Sequence, residues 1–295
     1  MGDLFSGLES MGLGGLSNVK IYDEEKQDSQ KGGTEAAKHV VTEEDFLFDK
    51  KMQCPVCDKE FKSKTVKTGK PRLLGSDSDL RPKYSGIDSI KYDAIVCPNC
   101  GYAALSRFFG YMTSAQAKLI KDNISAKFHP TPETGAVYSY DEAIKRHKLA
   151  LLNAIVKRAH ASEKAYTCLK IAWLYRGKKE NLDMNTPNAA AIKKDCEKNE
   201  QEMIASAYEG FVTSRAKEDF PICGMDEATF DYLLADLAAK LGKFDIAGKM
   251  ATNVIVSRTA NAKLKERARN LRDVIKNSKA CLLYTSPSPR DTERS

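Results

Sequence analysis

Apolar residues recur at helical spacing along the second part of the chain, from about residue 111. In residues 139–160, SYDEAIKRHKLALLNAIVKRAH, a helical period places Ala143, His147 and Ala150 on one face. The same pattern predicts further helices over residues 162–177, 188–216, 226–242, 243–258 and 261–277. We therefore predict a helical body over residues 111–280, with short connections between its helices.

Two of the predicted helices form a hairpin around Gly242. Small and apolar residues occupy positions resembling those of a tetratricopeptide repeat, a unit of two antiparallel helices: Leu234, Ala235, Ala238, Gly242, Phe244, Ala247, Ala251 and Val254. Gly242 would end the first helix, Phe244 would fill the wedge between the helices, and Ala247 would allow their close approach. Residues 140–176 and 189–218 have comparable composition but no strict pattern, so tetratricopeptide-like packing is predicted mainly from one unit.

Short alternating stretches replace the helical pattern in residues 46–110. Alternation around Phe61 and Val66, and from Tyr92 to Val96, predicts short strands on either side of two cysteine pairs. Between them, residues 75–86, GSDSDLRPKYSG, are predicted to form a loop from their Gly, Ser, Asp and Pro content.

The two ends of the chain show neither pattern. Residues 1–45 are rich in glycine and then in acidic side chains, which is typical of a disordered arm. Residues 281–295, CLLYTSPSPRDTERS, look like the conceptual translation of a sequencing-library adapter. We interpret this tail as an artefact, with a disordered Ser/Pro-rich tail as the alternative.

The overall composition is that of a globular protein, with 42% hydrophobic and 29% charged residues in 295. No stretch approaches the roughly 18 to 20 apolar residues of a membrane-spanning helix. No basic segment precedes an apolar one near the first residue, as a secretory signal would require. We therefore expect a cytoplasmic location and no membrane partner.

Four of the eight cysteines form two C-P-x-C pairs, Cys54 with Cys57 and Cys97 with Cys100. A tight turn at each pair can point both sulfur atoms to one side. Two such turns facing each other provide four thiolates in a closed tetrahedral arrangement, which is typical of structural zinc. The sequence therefore predicts a structural Zn²⁺ ion with these four cysteines as its ligands.

The residue after each pair must adopt a turn conformation that suits Gly101 and that Asp58 tolerates. The separation between the pairs, residues 58–96, is longer than in compact zinc fingers and fits a ribbon with an inserted loop. A thioredoxin-like redox site needs only one pair in a βαβ context, which the pattern lacks. Mononuclear iron in place of zinc, and four cysteines without any metal, also stay open at the level of the sequence.

The motifs CPVC and LRPKYSGIDSIKYDAIVCPNCGYAALS, followed by an all-helical half, resemble the bacterial family known as domain of unknown function 2225. The resemblance covers residues 45–277. Asp58 stands where glycine is more usual in the family, and Ser89 stands where proline is usual. The family implies a bacterial source, a zinc-ribbon-like head and a tetratricopeptide-like body, but no activity. The predicted fold class is thus mainly α, with a small β zinc-ribbon-like domain at 46–110 followed by an α-helical hairpin array.

The sequence offers no convincing catalytic motif, and we do not expect an enzyme. His147 and His160 lie among lysines on a predicted helix and are interpreted as surface residues. Residues 77–84 are charged, and we favour an ion-paired loop covering the ribbon over an active-site loop. Cys223 is interpreted as part of a turn before a helix capped by Asp226, rather than as a nucleophile.

Charge is unevenly distributed and leaves more than one kind of partner open. Residues 51–280 carry 40 Lys or Arg against 27 Asp or Glu, a net charge of +13. A basic cluster follows the first cysteine pair: Lys62, Lys64, Lys67, Lys70 and Arg72. The favoured hypothesis is a scaffold that binds a protein or peptide in a helical groove. The alternative is a nucleic-acid-binding accessory factor that uses the basic ribbon.

Overall fold

The computed structural model describes residues 41–130 and 135–285, with side chains up to Ser278. These described residues belong to one compact unit. The predicted arm up to residue 40 and the tail from residue 286 lie outside the described residues. Residues 43–45, which the sequence analysis assigned to the arm, begin a 3₁₀ turn at Glu43–Phe46.

Within the described residues, six short strands form three separate antiparallel hairpins. The strands are β1 Leu47–Gln53, β2 Glu60–Val66, β3 Leu73–Ser76, β4 Pro82–Tyr84, β5 Ala94–Val96 and β6 Ala103–Leu105, paired in that order. The hairpins β1–β2 and β5–β6 flank the two cysteine pairs, as predicted. The loop prediction for residues 75–86 was partly wrong, because β3 pairs with β4 within this range and leaves residues 77–81 as the loop between the two strands.

Seven helices follow in the described residues, so the prediction of a mainly α fold is confirmed. They are α1 Ser114–Ile120, α2 Tyr140–Val156, α3 Ala161–Glu180, α4 Ala189–Lys217, α5 Glu227–Lys240, α6 Phe244–Val256 and α7 Ala262–Thr285. A single π-helical turn, Lys121–Ser125, extends α1. The end of α7 lies beyond its predicted end at residue 277.

Local chemistry explains several helix ends. The side chains of Ser139 and Asp226 accept hydrogen bonds from backbone N–H groups in the first turns of α2 and α5, at 3.1 and 2.8 Å. Thr113 and Gln116 form a reciprocal capping box at the start of α1. Gly242 lies in the connection between α5 and α6 and has a φ of 72°, a conformation that glycine adopts without strain.

Helix α3 forms the centre of the helical body. It packs against α2 on one side and α4 on the other, and it also contacts the 3₁₀ turn Ser89–Tyr92. Leu169, Ile171 and Leu174 are fully buried. Because neighbours cover several faces of α3, its buried positions do not form a single apolar stripe.

Ion pairs connect α3 to the β region. Lys170 Nζ lies 3.2 Å from a carboxylate oxygen of Asp93, which precedes β5. Arg176 pairs with Asp79 at 2.6 Å, in the loop between β3 and β4. The expectation that this charged loop covers the ribbon was therefore wrong, since it docks on the helices instead.

The hairpin of α5 and α6 has the close packing that the sequence predicted. Ala247 and Ala251 on α6 are fully buried, and Phe244 packs against the core only in part. The starts of α5 and α7 are 35 residues apart, close to the length of one tetratricopeptide repeat. Helices α3 and α4, with 20 and 29 residues, are of unequal length. Membership of the tetratricopeptide superfamily stays a prediction.

Candidate metal centre

Each cysteine pair lies in a tight turn between two strands. In the turn between β1 and β2, the N–H of Cys54 donates to the carbonyl oxygen of Lys59 at 3.1 Å, and the N–H of Asp58 donates to the carbonyl oxygen of Cys54 at 2.9 Å. The turn between β5 and β6, which begins at Cys97, repeats both hydrogen bonds at the corresponding positions, at 2.8 and 3.1 Å. The two motifs therefore fold into equivalent turns.

The residue after each pair has a left-handed backbone, as predicted. Asp58 has a φ of 57° and Gly101 a φ of 72°. A Cβ atom on Gly101 would lie only 2.4 Å from Cγ of Phe128. Glycine is thus required at this position both for its backbone conformation and for the close approach of an aromatic ring.

We expect Gly101→Ala to destabilise the protein more than Gly242→Ala does. Both glycines have a φ of 72°, but a Cβ atom at Gly242 would have no neighbour within 4 Å. The strain of a left-handed alanine costs about 1–2 kcal/mol at either position. Overpacking against Phe128 adds about 1–3 kcal/mol at Gly101 alone. Urea denaturation of both variants measures the difference, and equal losses would contradict the predicted clash.

The four sulfur atoms of the two turns lie together. The Sγ atoms of Cys54 and Cys100 are 3.6 Å apart, and those of Cys57 and Cys97 are 3.7 Å apart. All four atoms lie within 4.8 Å of one another. A tetrahedral site with metal–sulfur bonds of about 2.3 Å requires sulfur–sulfur distances of about 3.8 Å. The cluster therefore has the dimensions needed to hold one metal ion.

Hydrogen bonding among the thiols, together with burial, shifts the pKa values of Cys54, Cys97 and Cys100. Hydrogen bonds from the thiols of Cys100 and Cys54 lower the pKa of Cys97 to about 2. Hydrogen bonds with Cys54 and Cys97, together with burial, raise the pKa of Cys100. These hydrogen bonds favour a thiolate at Cys97 beside the protonated thiols of Cys54 and Cys100, whose pKa values are raised. A divalent cation would allow all four to ionise, because its charge offsets theirs.

One distant residue and one neighbouring residue support the second turn. The side-chain amide of Asn153, on α2, donates to the carbonyl oxygen of Gly101 at 3.1 Å, and Asn153 is fully buried. Tyr102 is also fully buried, and its hydroxyl donates to the carbonyl oxygen of Phe109 at 3.2 Å. Sequence reasoning missed the support from Asn153 because nothing local to the cysteine motif indicates it.

The remaining cysteines of the described residues do not join the cluster. Cys54, Cys57, Cys97 and Cys100 form the only metal-competent group of three or more His, Cys, Asp or Glu side chains found there. Cys168 and Cys196 are buried in helices. Burial raises the pKa of Cys223 to about 12, which disfavours a nucleophilic thiolate. The predicted capping role of Asp226 is confirmed.

The charged loop between β3 and β4 is ion-paired, as predicted. Asp79 is fully buried, and its two carboxylate oxygens accept from Arg176 at 3.0 and 2.6 Å. Arg81 is almost fully buried and pairs with Asp88 at 3.2 Å and Glu180 at 2.9 Å. These charges are satisfied by one another, so the loop serves as a structural anchor.

The surface interpretation of His147 was wrong. This side chain is fully buried, and its Nδ1 lies 2.8 Å from the carbonyl oxygen of Ala143. Burial lowers the pKa of His147 to about 4, so the ring is neutral at pH 7. The signal for burial was the position of His147 on the same helical face as Ala143, Ala150 and Ala154, which are all buried. This pattern is a stronger indication than the lysines next to His147 in the sequence.

The predicted basic cluster is divided in the structure. On the β1–β2 hairpin, Lys62 lies opposite Lys51, and both are exposed. By contrast, Lys67 and Lys70 both donate to the carbonyl oxygen of Asp45, at 3.0 and 2.7 Å. Two members of the cluster are therefore engaged within the protein rather than presented together to a partner.

The fold and the site define a class: a mainly helical protein with a small β region that carries a four-cysteine cluster able to hold a metal ion. Residues 47–275 match the family described as "Uncharacterized protein conserved in bacteria (DUF2225)". The chain belongs to this family, which confirms the resemblance seen in the sequence.

An "Uncharacterized protein" of Borreliella burgdorferi (strain ATCC 35210 / DSM 4680 / CIP 102532 / B31) is 22% identical to the chain over 160 residues. The alignment covers 48% of this chain and 56% of the relative, so the chain spans about half the length of that relative. No solved structure matched the chain. Among the helices of the described residues, none is both long enough and apolar enough to cross a membrane.

Proposed function

We propose that this chain is a zinc-binding interaction scaffold, in which a structural zinc ion braces the β region and the helices receive a protein or peptide. The observation that carries the zinc assignment is the group of four cysteine sulfurs within 4.8 Å of one another. Four thiolates complete a tetrahedral coordination sphere and leave no position for a water molecule. Such an ion stabilises the fold and does not carry out a reaction.

A reducing compartment suits this site. The described cysteines, including the four of the cluster, are all free thiols, and the cytoplasm keeps thiols reduced and available to a metal. Zinc is favoured over mononuclear iron because a closed four-thiolate site is the common form of structural zinc. Elemental analysis of the purified protein separates the two metals.

A groove between α5 and α7 supports the scaffold role. It has a volume of about 480 Å³ and is bordered by the loop between β3 and β4. Phe244, Leu271 and Val274 contribute apolar surface, and Lys240 and Arg267 contribute charge. Val274 is 59% exposed, which leaves an apolar side chain accessible. A groove that combines apolar surface with a few polar groups is suited to a peptide segment.

We expect Val274→Arg to weaken the recovery of a protein partner by about tenfold or more, because the new charge would have to be desolvated in the interface. The tagged chain is used as bait in a nuclease-treated bacterial lysate, and bound protein is quantified. Val256→Arg is the matched control, since Val256 is 71% exposed on α6 and does not line the groove. Equal recovery with both variants would exclude the groove, and recovery of no protein would contradict the scaffold.

The same experiment tests the nucleic-acid alternative. Lys51 opposite Lys62 favours an anionic partner, because like charges facing each other across a hairpin are unfavourable without a counter-charge. Nucleic acid in the untreated eluate, removed by added salt and by changing Lys62, Lys64 and Lys67 to Glu, would support this alternative. A partner that survives nuclease would support the scaffold.

A further inference from the structure

A second cleft lies between the β1–β2 hairpin and the 3₁₀ turn Ser89–Tyr92. Its volume is about 380 Å³, within the range of small-molecule sites. The hairpin contributes Lys50 and Thr65, strand β4 contributes Tyr84, and α3 contributes Lys170. The four cysteine ligands are not among its lining residues. It is therefore separate from the metal centre and from the groove at α7.

Several donors that line this cleft have no protein partner. Lys50, Tyr84 and Ser89 make no side-chain hydrogen bond or ion pair with the part of the chain that the structure describes. Each carries a group able to donate a hydrogen bond. Unpartnered donors in a concave site are available to a ligand that supplies acceptors.

The charged residues of the cleft favour an anion. Lys50 and Lys170 are cationic, and Asp93 is the single carboxylate among the lining residues. One oxygen of Asp93 accepts from Ser106 at 2.6 Å, and the other lies 3.2 Å from Nζ of Lys170. Lys170 is only 7% exposed. The negative charge of Asp93 is thus offset by Lys170, and the charge of Lys50 remains unbalanced.

We propose that this cleft binds a small molecule bearing an oxyanion, either a phosphate ester or a carboxylate. Lys50 supplies the charge that attracts the oxyanion, and the hydroxyls of Tyr84 and Ser89 donate hydrogen bonds to it. This ligand site does not depend on the proposed scaffold role, since none of its residues lines the groove at α5 and α7.

The alternation of strand β1 provides a matched pair of lysines. Lys50 pairs with Ser63, and Lys51 pairs with Lys62. Because successive side chains of a strand point to opposite faces, Lys50 faces the cleft and Lys51 faces away from it. Both side chains are exposed, so neither Lys50→Met nor Lys51→Met should affect folding.

Isothermal titration of the full metal-loaded chain, at constant ionic strength set with chloride, tests the site. Inorganic phosphate, adenosine 5′-monophosphate and citrate are the probes. We expect saturable binding of at least one probe, weakened about tenfold or more by Lys50→Met and less than about twofold by Lys51→Met, because only Lys50 loses a charge-assisted hydrogen bond. Ser89→Ala, a second variant, should weaken binding by a smaller factor.

The probes distinguish the two sources of the oxyanion. If phosphate and the nucleotide bind and citrate does not, the ligand is a phosphate ester. If citrate binds and the other two do not, the ligand is a carboxylate. Equal weakening by both lysine variants would show diffuse surface charge and overturn the proposal. The absence of saturable binding by all three probes at millimolar concentration would overturn it as well.

Discussion

Replacing Cys97 with serine is expected to reduce the bound metal from one ion per chain to almost none. The Sγ atom of Cys97 lies 3.7 Å from that of Cys57 and within 4.8 Å of the other two sulfurs. A serine hydroxyl does not ionise at neutral pH and is a poor ligand where thiolates are preferred. With three thiolates left and one position open, the site loses the closed geometry that structural zinc requires.

Metal content is measured by elemental mass spectrometry on the purified chain, for zinc and for iron. Cys196→Ser is the matched control, because Cys196 is 1% exposed but lies outside the cluster. It should retain one metal ion per chain. Full metal content in Cys97→Ser, or metal-free wild-type protein even after zinc is supplied, would contradict the four-cysteine site.

Loss of the metal should also weaken the contact between the β region and α2. Structural zinc sites supply about 10 kcal/mol or more of apparent binding free energy in small domains, so the strands around the cysteines should unfold. From the sequence alone, we expect all the helices to stay folded when the metal is lost. Because Asn153 donates to the carbonyl oxygen of Gly101, we expect hydrogen exchange to increase around Asn153 as well as in residues 50–105. Protection should persist in α5 and α6.

The cysteine cluster could be predicted from the sequence because its geometry is local. A C-P-x-C turn fixes two sulfur atoms on one side through contacts within six residues, and Gly101 identifies the left-handed position. That the two turns meet was inferred from their similarity. The long segment between the two pairs did not prevent this inference, because four cysteines can bind one metal ion whatever the length of chain between them.

The charged loop was harder to predict because its partners are distant in sequence. Asp79 and Arg176 are 97 residues apart, and no local pattern indicates that they meet. The polar composition of residues 75–86 predicted a loop, whereas pairing of β3 with β4 and ion pairs to the helices order the segment. Tertiary contacts therefore override the local signal in this segment.

Arg176 holds together three parts of the molecule. From α3 it pairs with Asp79 at 2.6 Å and Asp77 at 3.2 Å in the β3–β4 loop, and with Glu200 on α4 at 2.7 Å. Burial alone would raise the pKa of Asp79, but the hydrogen bonds and charge of Arg176, with the charge of Lys240, lower it overall. Asp79 is therefore ionised, and its buried negative charge is compensated mainly by Arg176.

We expect Arg176→Met to lower the free energy of unfolding by about 3–5 kcal/mol, because it leaves the buried carboxylate of Asp79 without its main partner. Urea denaturation of the metal-loaded chain measures the loss. Arg215→Met is the matched control: Arg215 pairs with Asp231 at 2.8 Å, but its side chain is 36% exposed. The control should cost at most about 1 kcal/mol, as exposed ion pairs do.

A double variant and the pH dependence separate this electrostatic cause from a loss of packing. Adding Asp79→Asn to Arg176→Met should recover part of the stability, since it removes the uncompensated charge.

The pH dependence provides the second test. In the wild type the pKa of Asp79 is lowered on folding. Its contribution to the free energy of unfolding is therefore present above the ordinary carboxyl pKa and is lost as pH falls through the lowered value. Arg176→Met removes the main cause of that lowering and should flatten this part of the acid profile. No recovery in the double variant, or a loss no larger than that of Arg215→Met, would show that packing rather than charge anchors the loop to α3.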